Sequence, residues 1–302
     1  MTAPTLALPA RVLGHFEPGS DAWHAARANG VGGSEIAAVM GLSPYESRFS
    51  LWHRKRGMVG PVEESEQMYW GKVHEPTICA EFAKRHPKWS VELSPTFASL
   101  ERPEQIVNPD RLLYGPDGEL ELLEAKTSRD DAGWGETGSD TIPVWYWGQV
   151  QWYMDALAVR RCHVAVLVGL ADYREYVIEY DQADCLAMRA GAADFMRSLR
   201  ENERPAIDGH SATYQVLREL PEGQQDVDVE VTQPLVDRFH AAQDAFWVAE
   251  DELTACKGEL LDAIGSGYRA ITLVDRKRVA TRTVRNGKTY QLLPARTRRN
   301  AA

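Results

Sequence analysis

Asp110, Glu124 and Lys126 are the residues of this chain whose types and spacing could do chemistry. Asp110 follows Asn108-Pro109, where proline marks a bend. Glu124 and Lys126 sit two apart on a predicted strand over Glu119–Thr127. Residues two apart on a strand point to one side, roughly 6.5 Å apart. Leu120, Leu122, Glu124 and Lys126 therefore share a face that starts apolar and ends charged. Charges at the end of a core strand are costly unless they are paired or bind a metal. A carboxylate pair beside an ammonium is what a divalent metal and an activated water need.

Taken singly, each residue also has a plainer reading. Asp110 could be a turn former, and Glu124 with Lys126 a surface ion pair. Glu75 could be a helix-start acid favoured by the dipole. Gln149 could be a solvated helix residue, Ser34 an N-cap, and Arg27 a surface charge.

The elements that must position these groups follow from pattern. Ser20 and Asp21 are N-cap candidates for a short helix carrying Trp23, His24 and Arg27. Gly30-Val31-Gly32-Gly33-Ser34-Glu35 leads into a short apolar helix, Ile36–Met40, which Gly41 ends. A Gly-rich turn at a helix start exposes backbone N–H groups, a natural phosphate seat. Ser43-Pro44-Tyr45-Glu46 has the form of a capping box for a helix that stops at Gly57. The next helix spans Tyr69–Arg85, kinked or started by Pro76. Strands are expected at Ser90–Phe97, Gln105–Asn108 and Glu119–Thr127, which puts the motif acids on the second and third. A helix opens at Pro143, and Gln149 and Tyr153, four apart, share a face of it. Two strands, His163–Val168 and Glu175–Tyr180, precede a long helix over Gln182–Glu201.

This order predicts an α/β (α+β) fold with a mixed central β-sheet flanked by helices. Composition shifts at Arg204-Pro205. The expected domains are an arm over 1–20, a core over 21–204, and a C-terminal extension over 205–302. The extension holds a long helix from Pro234 to Ile264, then short strands turning near Asp275-Arg276 and Asn286-Gly287. Phe239, Phe246, Trp247 and Leu253 mark one side of that helix, which is expected to pack on the body or on its hairpin partner.

With 44% hydrophobic and 26% charged residues, the 302-residue chain reads as soluble and globular. No stretch approaches 18 apolar residues, so no membrane contact is expected. Cys79, Cys162, Cys185 and Cys256 lack Cys-x-x-Cys spacing and suit a reduced, cytoplasmic protein. The net charge of −10 argues weakly against nucleic acid, but the chain's end is basic. Asp275 is the one acid among ten Arg and Lys residues between Arg269 and Arg299. That segment fits either a local polyanion contact or a tail pairing with the acidic body.

The ordered motifs resemble the lambda-type exonuclease family, also called YqaJ-like viral recombinases, within the PD-(D/E)xK nucleases. Pro109-Asp110 with Glu124-Ala125-Lys126 matches the name-giving motif. Trp70-Gly71-Lys72 through Glu75-Pro76 looks like the family's helical acid segment. Gln149 to Tyr153 looks like its Gln-x-x-x-Tyr helix, and Trp23 through Ser34-Glu35 like its phosphate-recognition segment. The resemblance covers roughly residues 20–205. It implies a restriction-endonuclease-like core in which Asp110, Glu124 and the Ala125 carbonyl hold Mg²⁺, with Mn²⁺ able to substitute. Glu75 would bind a second metal or its water. Lys126 would position the nucleophile, and Gln149 would orient Lys126 or the scissile phosphate. Arg27 and Ser34 would grip a 5′-phosphate, with Tyr153 also at the DNA.

By that resemblance the chain is a 5′ to 3′ exonuclease on double-stranded DNA ends in phage-type recombination. It would work in a bacterial or phage-infected cell, beside a single-strand annealing protein, as a homo-oligomer for which a ring-shaped trimer is one form. An endonuclease or nickase on the same core, or a DNA-binding module without catalysis, are the alternatives.

Overall fold

The computed structural model describes residues 8–169, 171–220 and 223–295. The chain divides into two compact units after Gly223. The first runs through β1 (Ala10–Gly14), α1 (Asp21–Ala28), β2 (Val31–Gly32), α2 (Gly33–Val39), α3 (Arg48–Lys55) and α4 (Glu66–Arg85). It continues with β3 (Ser90–Leu93), β4 (Thr96–Ser99), β5 (Gln105–Val107), β6 (Arg111–Tyr114) and β7 (Leu120–Ser128). Then come α5 (Val144–Leu157), β8 (Arg161–Val168), β9 (Asp172–Glu179), α6 (Gln182–Arg200) and α7 (Ser211–Glu219).

Five strands form the sheet that carries the motif, in the order β3-β6-β7-β8-β9. β7 and β8 pair in parallel and every other neighbour is antiparallel, so the sheet is mixed as expected. The parallel pair needs a crossover, and α5 supplies it. A second sheet, β1-β4-β5-β2, has four strands.

β7 is buried on both faces. Leu120 and Leu122 enter the large core with Val150, Trp152 and Met154 of α5. Leu123 and Ala125 turn the other way, onto Ile78, Cys79 and Phe82 of α4. Period-two alternation thus aims Glu124 at α5, and α4 covers the opposite face.

Several expected boundaries move. The strand expected over Ser90–Phe97 is two strands in different sheets. Pro95 separates them, having no N–H to give to a ladder. β6 is a strand that the pattern did not show, being four residues long between Asp110 and the turn at Gly115. Asp110 consequently lies at the entrance to β6, and not on the second expected strand. Ser43 caps a turn, accepting from the N–H groups of Tyr45 and Glu46 (both 3.1 Å). Ser47 and Ser50 form the capping box of α3 instead. α4 begins at Glu66 behind Ser65 and runs on through Pro76. The first unit also extends past Arg204-Pro205, because α7 docks on α3: Thr213 and Ser47 share a buried hydrogen bond of 2.6 Å.

The second unit holds α8 (Gln233–Ala263) and the antiparallel sheet of β10 (Arg269–Ile271), β11 (Arg278–Arg285) and β12 (Lys288–Pro294). Asn286 and Gly287 both take positive φ at the β11–β12 turn, as a two-residue hairpin loop requires. Ala270, Ala280 and Leu292 make its small core, with Leu260, Leu261 and Ile264 packed against it. Phe239, Phe246, Trp247 and Leu253 stand outside that small core, and all four are more than half exposed. Within the basic end, Arg296, Arg298 and Arg299 lie outside the described residues.

Candidate active site

The turn before β6 and the antiparallel β6–β7 register bring Asp110 beside β7. Arg111 pairs with Leu123, and the Ala125 N–H donates to Asp110 Oδ2 at 2.7 Å. Lys126 Nζ donates to Glu124 Oε1 at 2.5 Å, so residues two apart on the strand form the expected pair. From α5, Gln149 Nε2 donates to the same Glu124 oxygen at 2.6 Å and to the Tyr153 hydroxyl at 2.7 Å. The one-turn spacing of Gln149 and Tyr153 is what lets them meet.

Glu124, Gln149 and Tyr153 are buried and Asp110 and Lys126 half-buried, and the electrostatics of the cluster follow from that. Burial raises the Asp110 carboxyl well above the usual carboxylate range, and the neighbouring Glu124 charge adds to the shift. Glu124 is raised too, because burial outweighs the attraction of Lys126. Burial opposes charge on Lys126, but Glu124 and Asp110 overcome it and hold the ammonium protonated. Two carboxyl groups thus share one ammonium in a largely buried site.

Glu75 projects from α4 and is paired with Arg111, whose Nη1 lies 2.8 Å from Glu75 Oε1 and 2.6 Å from the Asp110 carbonyl. It makes no direct bond to Asp110 or Glu124. Its charge nonetheless acts on both, raising each carboxyl. The observed contact of Ala125 is through its N–H.

A second cluster gathers Arg27 and Ser34. Arg27 Nη2 donates to Ser34 Oγ at 2.8 Å, and the guanidinium stacks over Trp23 at 4.2 Å. Arg27 Nε is buried and has no partner among the described residues. Lys55 Nζ donates to Glu35 Oε2 at 2.9 Å and to the carbonyls of Arg27 and Gly30. Burial alone would raise Glu35, but Lys55 and Arg27 hold its carboxyl below the usual range. Glu35 also takes the Gly32 N–H at 2.7 Å, so that donor of the Gly-rich turn is already used. Lys55, Glu35 and Arg111 had no role assigned from sequence. Nothing in their spacing singles out these ion pairs, since Lys55 lies 20 residues from Glu35 and Arg111 36 from Glu75.

The two clusters meet at Gly32 and Gly33. A Cβ on Gly33 would stand 2.2 Å from Tyr153 Cε1, and one on Gly32 would stand 2.1 Å from Arg27 Nη2. These residues are glycine because an aromatic ring and a guanidinium occupy the space a side chain would need. Gly33→Ala is therefore expected to cost about 1–3 kcal/mol through overpacking. Thermal melting would read this as about 2–4 °C per kcal/mol. An unchanged melting temperature would show that Tyr153 can move aside freely.

Residue chemistry permits a hard cation at the first cluster. Glu124 Oε2 is buried with no hydrogen-bond partner among the described residues. A bare carboxylate oxygen beside a second carboxylate suits a divalent ion with oxygen preference. Among the described residues, no three His, Cys, Asp or Glu side chains close into a metal cage. Two carboxylates still suffice for an ion that keeps most of its waters.

The sequence from α1 to α5 builds both clusters. Residues 22–157 match the YqaJ-like viral recombinase domain. That segment of the chain is similar to the domain of that family. Every candidate residue, from Arg27 to Tyr153, lies inside the matched segment. An uncharacterized YqaJ protein of Bacillus subtilis (strain 168) is 31% identical over 210 residues, 67% of this chain. The chain spans 63% of that relative's length. An alkaline exonuclease from Laribacter hongkongensis, solved alone and with dAMP, superposes with a TM-score of 0.48 at 17% identity. That match covers 66% of this chain and 97% of the exonuclease. A phage-related exonuclease from Haemophilus somnus 129PT gives a TM-score of 0.40 at 9% identity, covering 64% and 96%. No helix among the described residues is long and apolar enough to cross a membrane.

Proposed function

We propose that the chain is a magnesium-dependent deoxyribonuclease that digests double-stranded DNA from its ends in the 5′ to 3′ direction. One observation carries the reading: Glu124 is buried with the half-buried Asp110 beside it, and one oxygen of Glu124 is left bare beside a protonated Lys126. A site that gathers unneutralised carboxylates around an ammonium suits cation-assisted attack on a phosphodiester better than it suits stability. Magnesium, or manganese in its place, would be held by Asp110 and Glu124. When bound, it supplies an acidified water and positive charge against the phosphate.

The chain's own residues would do the rest. Lys126 offsets negative charge as the phosphate becomes five-coordinate, and Gln149 keeps Glu124 Oε1 oriented. Tyr153 fixes Gln149. Arg27, stacked on Trp23 with Nε unused, offers a forked donor to a terminal phosphate, and Ser34 steers it. Glu75 stands near enough to act electrostatically and would join the metal shell only by exchanging Arg111 for it. Mononucleotides and a 3′ overhang would be the products. A single-strand annealing protein would take the overhang in phage-type recombination, in the cytoplasm of a bacterial or infected cell. Assembly into a homo-oligomer, with a ring of three as one form, belongs to the same reading.

Linear duplexes bearing a 5′-phosphate or a 5′-hydroxyl, with and without magnesium, test this directly over a time course. Loss of the linear duplex is expected only with the metal, and faster from the phosphorylated end. A closed circular duplex should stay intact, and its cleavage would favour the endonuclease reading. Absence of any cleavage would leave a DNA-binding module. Arg27→Ala should abolish the 5′-phosphate preference, a change of about 10–100-fold for a charged hydrogen bond of about 1.5–3 kcal/mol. An equal slowing on both ends would remove Arg27 from end recognition.

A further inference from the structure

The long helix α8 exposes an apolar surface that the site leaves unused. None of its residues is buried, and Phe239, Phe246 and Leu253 are 57%, 63% and 54% exposed. These three recur every seven residues, as do Leu235, Ala242, Ala249 and Cys256. Together they make a heptad seam with bulky residues at a and mostly small ones at d. Toward the C-terminus, Leu260 already packs on the small sheet. The free seam therefore runs from Leu235 to Cys256, about 33 Å of helix at 1.5 Å per residue.

We propose that α8 pairs with α8 of a second copy of this chain in an antiparallel coiled coil. Antiparallel register sets each bulky residue against a small one. Phe239 faces the second copy's Cys256, Ala242 faces Leu253, and Phe246 faces Ala249. Symmetry repeats each layer. A parallel pairing would instead stack Phe on Phe and Ala on Ala, giving wide and empty layers in turn, which close packing resists. Flanking charges favour self-pairing as well. Arg238 lies opposite Glu259 at both ends of the antiparallel seam, and Gln243 lies opposite Glu250. Parallel pairing would offer Glu252 against Lys257, so charge supports a second copy as the occupant and side-chain size selects the orientation.

Two measurements on the full-length protein decide this. Light scattering should give the wild-type assembly twice the mass of the Phe246→Asp/Leu253→Asp variant. Both substitutions fall on exposed positions, so circular dichroism should be unchanged. Equal masses would overturn the proposal. Mild oxidation then reads the orientation without relying on a disruptive variant. Phe239→Cys should form a disulfide-linked dimer through Cys256, and adding Cys256→Ser should abolish it. Crosslinking of the wild type through its single exposed cysteine would indicate parallel helices and refute the antiparallel seam, as would failure of Phe239→Cys to crosslink.

Discussion

Asp110→Asn is expected to lose cleavage by about 10³-fold and yet to make the metal-free protein more stable. The loss follows because charge stabilisation by a metal is worth several kcal/mol, and each 1.36 kcal/mol is tenfold in rate. The gain follows from burial. Asp110 is raised well above its ordinary value, by desolvation first and Glu124 second. An acid whose folded-state pKa lies above its unfolded value, about 3.9, favours folding only while protonated. Wild-type stability is therefore full below the unfolded value and falls as pH rises through the folded one. Asparagine removes that slope, and its amide oxygen can still accept the Ala125 N–H. Melting in chelator should place the variant above the wild type by about 2–4 °C per kcal/mol recovered. Magnesium at about a hundred times its dissociation constant should then stabilise the wild type by about 2.7 kcal/mol and leave the variant unmoved. A magnesium response of equal size in both proteins would remove Asp110 from the metal site.

Lys126→Ala is expected to lose cleavage by about 10²–10³-fold, with the opposite effect on stability. Lys126 is the sole ammonium bonded to Glu124, which keeps one oxygen bare. Removing one partner of a buried pair typically costs about 3–5 kcal/mol, because the remaining charge stays out of water. The cost should shrink at low pH. Glu124, already raised by burial, rises further without the ammonium and takes up a proton instead. Magnesium should recover much of the loss by supplying the missing positive charge. Melts at acidic, neutral and alkaline pH, with and without the metal, would read all three effects. A variant as stable as the wild type at neutral pH would mean that Lys126 and Glu124 are solvated in solution. The contrast in sign between the two variants is the more telling result, since general damage to the fold would lower both.

Local pattern carried much of this structure. Glu124 and Lys126 were legible as a pair because strand periodicity is strict, and Gln149 with Tyr153 because helix periodicity is. Boundaries failed where a short element had too few residues to show a period, as with β6. The capping box at Ser43 failed because Ser47, four residues on, competes for the same role with better geometry. The apolar side of α8 was legible as a side, but not its partner. Periodicity says which residues face together, and says nothing of what they face.

The sequence alone determined which residue types stand at which intervals along the chain. That was enough for the acid pair with its lysine, the glutamine–tyrosine turn of helix, the arginine and serine near a Gly-rich bend, and the family they resemble. Tertiary structure alone decided that Asp110 meets β7 through the Ala125 N–H. It also decided that Arg111 occupies Glu75, that Lys55 and Glu35 frame Arg27, and that Gly33 yields its space to Tyr153. The reason is physical. Backbone geometry propagates over a few residues, so it can be read from spacing. Contacts between groups 15 to 120 residues apart depend on how sheets and helices close on one another, and no local rule encodes that.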